Sequence, residues 1–76
     1  MEEIELPRRF ALQRNVDVAG VSGTGVVALG VEFPDGKTIV RFIVGEHRQV
    51  AVWDSMDAVR AIHGHGGHTE VVWIDE

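Results

Sequence analysis

"VVALGVEFPDGKTIVRFIV", residues 26–44, sets two apolar runs of period two on either side of a Pro-Asp-Gly-Lys corner. In the first run Val27, Leu29, Val31 and Phe33 alternate with Val26, Ala28, Gly30 and Glu32. In the second, Val40, Phe42 and Val44 alternate with Ile39, Arg41 and Ile43. A side-chain period of two belongs to strands. Pro34 presets the φ of a turn's first corner, and Asp35-Gly36 tolerates the dihedrals that complete it. The stretch predicts a tight antiparallel hairpin, and with it a fold built around a sheet.

Upstream of the hairpin, "RFALQRNV" (residues 9–16) places Phe10, Leu12, Arg14 and Val16 on one face of another strand. Downstream, "GEH" (residues 45–47) reads as a turn and "RQVAVW" (residues 48–53) as a fourth strand with Val50 and Val52 inward. The period then changes. Residues 54–64, "DSMDAVRAIHG", offer Asp54 or Ser55 as an N-cap, Asp57 in the first turn, Met56, Val59 and Ile62 at helical spacing, and Gly64 as a C-cap. A last strand, residues 69–75, alternates Val71 and Trp73 against Val72 and Ile74. The predicted order is β-β-β-β-α-β: one small domain over residues 1–76, α+β but mostly β, an antiparallel sheet of five strands with a short helix before the last. Several of these strands are apolar on both faces, which one short helix cannot cover. The expectation is a sheet curled into a small barrel with a self-filling interior, and partner copies in a homo-oligomer over what remains exposed.

Composition narrows the chemistry. The 76 residues include no cysteine, which excludes disulfides, thiolate metal sites and cysteine nucleophiles. The formal net charge of −5 leaves no basic stripe for polymeric DNA or RNA. No apolar run approaches the roughly 20 residues needed to cross a bilayer, and "MEEIELPRRF" lacks the basic-then-apolar order of a secretory signal, so no membrane partner and a cytoplasmic site are expected. The basic residues are six arginines and Lys37 alone. Arginine suits planar contact with carboxylate or phosphate. Arg14 and Arg41, each among apolar neighbours on a strand face, are candidates to meet a small anion; the plainer reading makes them edge-strand guards.

Two glycine-rich stretches carry what else the sequence says of a site. "DVAGVSGTGVV" (residues 17–27) is not a Walker loop, since it has no lysine and leads into a strand. Nor is it a dinucleotide fingerprint, because its glycines run G-x-x-G-x-G and no helix follows. Backbone N–H groups around Gly23 and Gly25, with the hydroxyls of Ser22 and Thr24, can form an anion nest. Equally, a connection needing positive φ would use the same glycines with no ligand at all. "HGHGGH" (residues 63–68) brings His63, His65 and Gly66 to a helix C-terminus, where protonated imidazoles cap carbonyls or contact an anion. The same segment has no carboxylate or cysteine at a metal-ligand step, so neither a metal nor any cofactor is expected. No nucleophile elbow or spaced carboxylate pair marks a catalytic centre, and the chain reads as a binder and not an enzyme.

"DVAGVSGTGVVALGVEFPDG" (residues 17–36) and "AIHGHGGHTEVVWID" (residues 61–75) resemble a small family of uncharacterised proteins from tailed phages, actinobacteria and haloarchaea. The resemblance runs from Phe10 to Asp75. This chain has Ala19 where the family pattern carries serine, which removes one hydroxyl, and Leu29 where an acidic residue is common. The resemblance implies a phage-encoded accessory protein of the host cytoplasm and brings no activity with it. Two expectations follow. One is a ligand binder that sequesters a small nucleotide-like anion through Arg14, Asp17, Ser22, Gly23, Thr24, Gly25, Arg41, His63, His65 and Gly66. The other is an interaction module that binds and inhibits a host protein.

Overall fold

In the computed structural model of the protein, residues 4–15, 24–45, 48–63 and 68–75 are described. The elements are β1 (Arg8–Arg14), β2 (Gly25–Glu32), β3 (Thr38–Phe42), β4 (Val50–Trp53), α1 (Met56–His63) and β5 (Thr69–Trp73), in the predicted order. The hairpin at the centre forms as its sequence dictates. Phe33 N–H donates to the Lys37 carbonyl at 2.8 Å and Gly36 N–H to the Phe33 carbonyl at 2.9 Å, while the Asp35 carboxylate accepts from Lys37 N–H at 3.0 Å. Pro34 and Asp35 are the corners of this turn.

The five strands pair antiparallel in the order β4-β3-β2-β1-β5. This overturns the expected curled sheet or barrel: β4 and β5 are edges at opposite sides and do not pair, so the sheet is open. The helix is the reason. It lies in the connection from one edge strand to the other and sets Met56 and Val59 into a core with Phe10, Leu12, Val27, Ala28 and Val40. The apolar volume that a closing barrel would fill with its own strands is filled by α1. Ser55 caps the helix, its Oγ accepting from Ala58 N–H at 3.2 Å, and Asp57 and Arg60 sit in the first and last turns as the helix dipole favours. Among the described residues no helix is long and apolar enough to cross a membrane.

Register assigns the faces. Phe10 pairs with Gly30 and Trp73, and Gly30 in turn with Val40, which pairs with Ala51; this row faces the helix. Arg8 closes one end of that face, its guanidinium 3.9 Å from the Trp73 ring centroid and 3.0 Å from Glu32 Oε1. The predicted alternation holds in β3, where Val40 is buried and Arg41 exposed, and in β5, where Val71 and Trp73 pack on the core and Val72 is exposed.

It fails in β2 and β4. Between Leu12 and Gln13 the register slips, because Leu12 faces Ala28 but Gln13 faces Val26. The extra residue is Val27, and the bulge sends both Val27 and Ala28 into the core, each 0% exposed. Beyond it the phase is reversed, so that Leu29 and Phe33 are exposed instead of sharing a face with Val27. In β4 the inward residues are Ala51 and Trp53, while Val50 and Val52 are 58% and 65% exposed. Ile62 is also exposed, leaving Met56 and Val59 to anchor the helix.

The last described residue of the β5 end is tied to the first strand. Arg9 Nε and Nη2 contact the two Asp75 carboxylate oxygens at 2.8 Å each, and Arg9 N–H adds a third bond at 2.9 Å. The side-chain bonds from Arg9, helped by that backbone bond and by the guanidinium charge, hold the Asp75 carboxyl down from 3.8 to about 2. A carboxyl with a depressed folded-state pKa stabilises above its unfolded value and loses that contribution as pH falls. Stability is therefore expected to decline as pH drops from about 4 to about 2. Asp75→Asn should flatten that part of the profile, as urea unfolding at stepped pH would show; an unchanged slope would contradict the assignment.

Candidate functional site

Two connections with unusual composition meet one end of the sheet, the first at both of its ends and the second where it enters β5. Residues 16–23 link β1 to β2, and residues 64–67 link α1 to β5; both lie outside the described residues, and with them Asp17, Ser22, Gly23, His65 and Gly66. Their roots are described. Arg14, the last residue of β1, pairs with Gly25 on one side and Thr69 on the other. Asn15 N–H donates to the His68 carbonyl at 2.7 Å, and Asn15 Nδ2 donates to Glu70 Oε1 at 3.1 Å. Three neighbouring strands thus gather both roots of residues 16–23 and the β5 root of residues 64–67 within one register row and the residues beside it.

Sequence spacing could not have shown this convergence. It follows from β1 lying between β2 and β5, a pairing made across more than fifty residues of chain.

The row carries polar atoms without partners. Among the described residues, Arg14 Nε and Thr69 Oγ1 are buried and have no hydrogen-bond partner. Arg14 as a whole is half-buried and Thr69 is 9% exposed. An unmet buried donor or hydroxyl costs roughly 1–3 kcal/mol, and native structures leave few of them. Together they offer a guanidinium N–H and a hydroxyl, both suited to oxygen atoms of an anion. Thr69 was missed in the sequence, where it reads only as the first residue of a strand; its value lies in its register with Arg14.

The remaining predicted residues divide. Thr24 is exposed beside this row and Gly25 begins β2 at φ 93°. A Cβ at Gly25 would meet nothing within 4 Å, so glycine is needed there for its backbone conformation and not for room. His63 is used in packing: its ring lies edge-on to Phe42 at 5.1 Å and to Trp53 at 5.3 Å, on the β3–β4 side of the helix-covered face. Arg41 is exposed and faces away from the helix, on the opposite side of the sheet from Arg14. The two arginines do not share a site. Among the described residues no three His, Cys, Asp or Glu side chains gather as a metal would require.

No curated protein and no solved structure matches the chain. Residues 7–75 match the protein family described as Acb5 phage protein. Since that match takes in nearly the whole chain, every described strand and the helix included, the protein belongs to this phage family.

Proposed function

We infer that the protein binds a small nucleotide-type anion without turning it over, and acts by sequestering it in the host cytoplasm as a homo-oligomer. The observation that carries this reading is the pair of unmet buried polar atoms, Arg14 Nε and Thr69 Oγ1, at the row where both glycine-rich segments are rooted. A phage family supplies the setting. A protein that only holds a signal lowers its free concentration in proportion to its own abundance, which needs affinity and no catalytic group. Thr24 would add a hydroxyl to the ligand, and the backbone around Gly25 would add N–H groups.

Thr69→Val is the sharpest test. Valine has nearly threonine's shape, and removing a hydroxyl that has no protein partner leaves stability unchanged or raised. Under the binding reading, however, the same substitution costs affinity. With a panel of mono-, di- and cyclic nucleotides at about a hundredfold excess over Kd, mass action stabilises the wild type by about 2.7 kcal/mol, on the order of 10 °C or more in Tm for a domain of this size. Thr69→Val is expected to keep the ligand-free Tm and lose most of the shift. Thr24→Val and His65→Ala should behave alike, whereas a collapse of the fold would assign those residues to structure.

A second reading, binding and inhibition of a host protein, is favoured by the uncovered apolar face of the sheet. It prevails if no nucleotide moves Tm and one stoichiometric host protein is recovered from lysate.

A further inference from the structure

Arg41 stands on the face of the sheet away from α1 with no acid to meet it. Its register neighbours are Leu29 on β2 and Val50 on β4, both exposed. Among the described residues Glu32, Asp54 and Asp75 are taken by Arg8, Lys37 and Arg9, and Glu70 bonds Asn15. Arg41 is thus a lone solvated cation on an apolar surface, open to any carboxylate brought over that face. Around it Leu29, Val31, Ile39 and Ile74, with Arg9, line a hollow of about 360 Å³.

The residues ahead of β1 have the complementary deficiency. Residues 1–6, "MEEIEL", carry three carboxylates and two aliphatic side chains, and an extended arm of this sequence puts Glu2, Ile4 and Leu6 on one side. Ile4 and Leu6 are 80% and 73% exposed, and Glu5 has no ion pair among the described residues. The arm already borders the open face: Leu6 and Pro7 enclose a second hollow, of about 860 Å³, with Val31, Ile74 and Asp75. Arg9, Val31 and Ile74 line both hollows, so one trough runs from Leu6 to Arg41.

We propose that the arm turns back at Pro7 and lies in this trough as a strap, with Ile4 and Leu6 on Val31, Ile39 and Ile74 and the Glu2 carboxylate on Arg41. Reach, charge and pattern select the arm as the occupant. Arg41 shares a register row with Ala11, four residues on from Pro7, and lies two strands across from β1. That is about 13 Å along the strands and about 10 Å across them, or about 16 Å in all. The five residues from Pro7 back to Glu2 span about 17 Å when extended, and the two long side chains bridge what the turn takes up. The strap brings an acid to the one arginine of the sheet face that lacks one and covers two aliphatic side chains that otherwise stand in water.

The chain has no cysteine, so disulfide trapping in the full-length protein reads the arm directly. Ile4→Cys combined with Ile39→Cys is expected to close within one chain about tenfold faster than Ile4→Cys combined with Arg60→Cys, because the strap raises the effective concentration at the first pair alone. Arg60 is exposed on α1, on the other side of the sheet. Leu29→Cys in place of Ile39→Cys repeats the test at an exposed position, where folding is not at stake. Arg41→Glu should slow the first closure several-fold with an unchanged far-ultraviolet spectrum, and Glu2→Lys added to it should restore the rate. Equal rates for the near and far pairs, disulfides formed only between chains, or no rescue by the charge swap would overturn the proposal. No nucleotide enters the measurement, so the strap and the binding reading fail separately.

Discussion

Gly30→Val is expected to leave most of the protein unfolded at 25 °C. A Cβ built on Gly30 would lie 2.4 Å from Phe10 Cζ, 2.8 Å from Phe10 Cε1 and 2.7 Å from the Ile39 carbonyl oxygen. Two of these contacts are with a ring that is 0% exposed and wedged edge-on against Trp73 at 5.5 Å; the third is with backbone of the neighbouring strand. Neither neighbour can withdraw cheaply, because the ring is enclosed by the core and the carbonyl belongs to the sheet. Overpacking of this kind costs about 1–3 kcal/mol for a modest insertion and more where backbone must move. A domain of this length has about 4–11 kcal/mol in total.

Gly30→Ala makes the same collision with fewer atoms and should lose about 2–4 kcal/mol in urea unfolding. Combining it with Phe10→Leu, which removes the ring atoms but not the Ile39 carbonyl, should cost about 1 kcal/mol less than the sum of the two changes. Strict additivity, or a Gly30→Ala midpoint indistinguishable from the wild type, would show that the ring does not sit where this geometry has it.

Val59→Asp should have an effect of similar size by another route. Val59 is 0% exposed and, with Met56, is what the helix buries in the core. A carboxylate there must either lose its water or drag the helix off the sheet, and an unpaired buried charge costs more than about 4 kcal/mol. Both tryptophans report the outcome, since Trp53 and Trp73 pack against the core on the side that α1 covers. Their emission is expected to shift to the red, with the midpoint in urea lost or sharply lowered. Ile62→Asp, one turn on but 57% exposed, should stay within about 0.5 kcal/mol of the wild type. Equal effects at the two positions would mean that the helix face has been misassigned.

The contrast between Val59 and Ile62 shows where legibility stopped. Helical spacing marks Met56, Val59 and Ile62 alike, and only the placement of the helix over the sheet decides which of them is buried. Valines 50 and 52 fail for the same reason: alternation was visible, but Trp53 and Ala51 hold the inward parity because of how β4 pairs with Val40 and Thr38. The bulge that carries Val27 inward has no local mark, since it is a mismatch of count between β2 and β1. At the candidate site, Arg14 was legible as a cation on an apolar face, whereas Thr69 and the exclusion of Arg41 depended on which strands are neighbours.

Sequence alone determined the order of the elements, the hairpin corner at Pro34 to Gly36, the capped helix after β4 and the absence of cysteine chemistry. These are matters of backbone preference and side-chain period, settled within about ten residues of chain. Only the tertiary structure decided that the sheet stays open, which face each strand turns inward, and that two distant glycine-rich segments share a root at Arg14, Gly25 and Thr69. Those outcomes rest on pairings between residues far apart in the chain, where one slip of register exchanges buried for exposed.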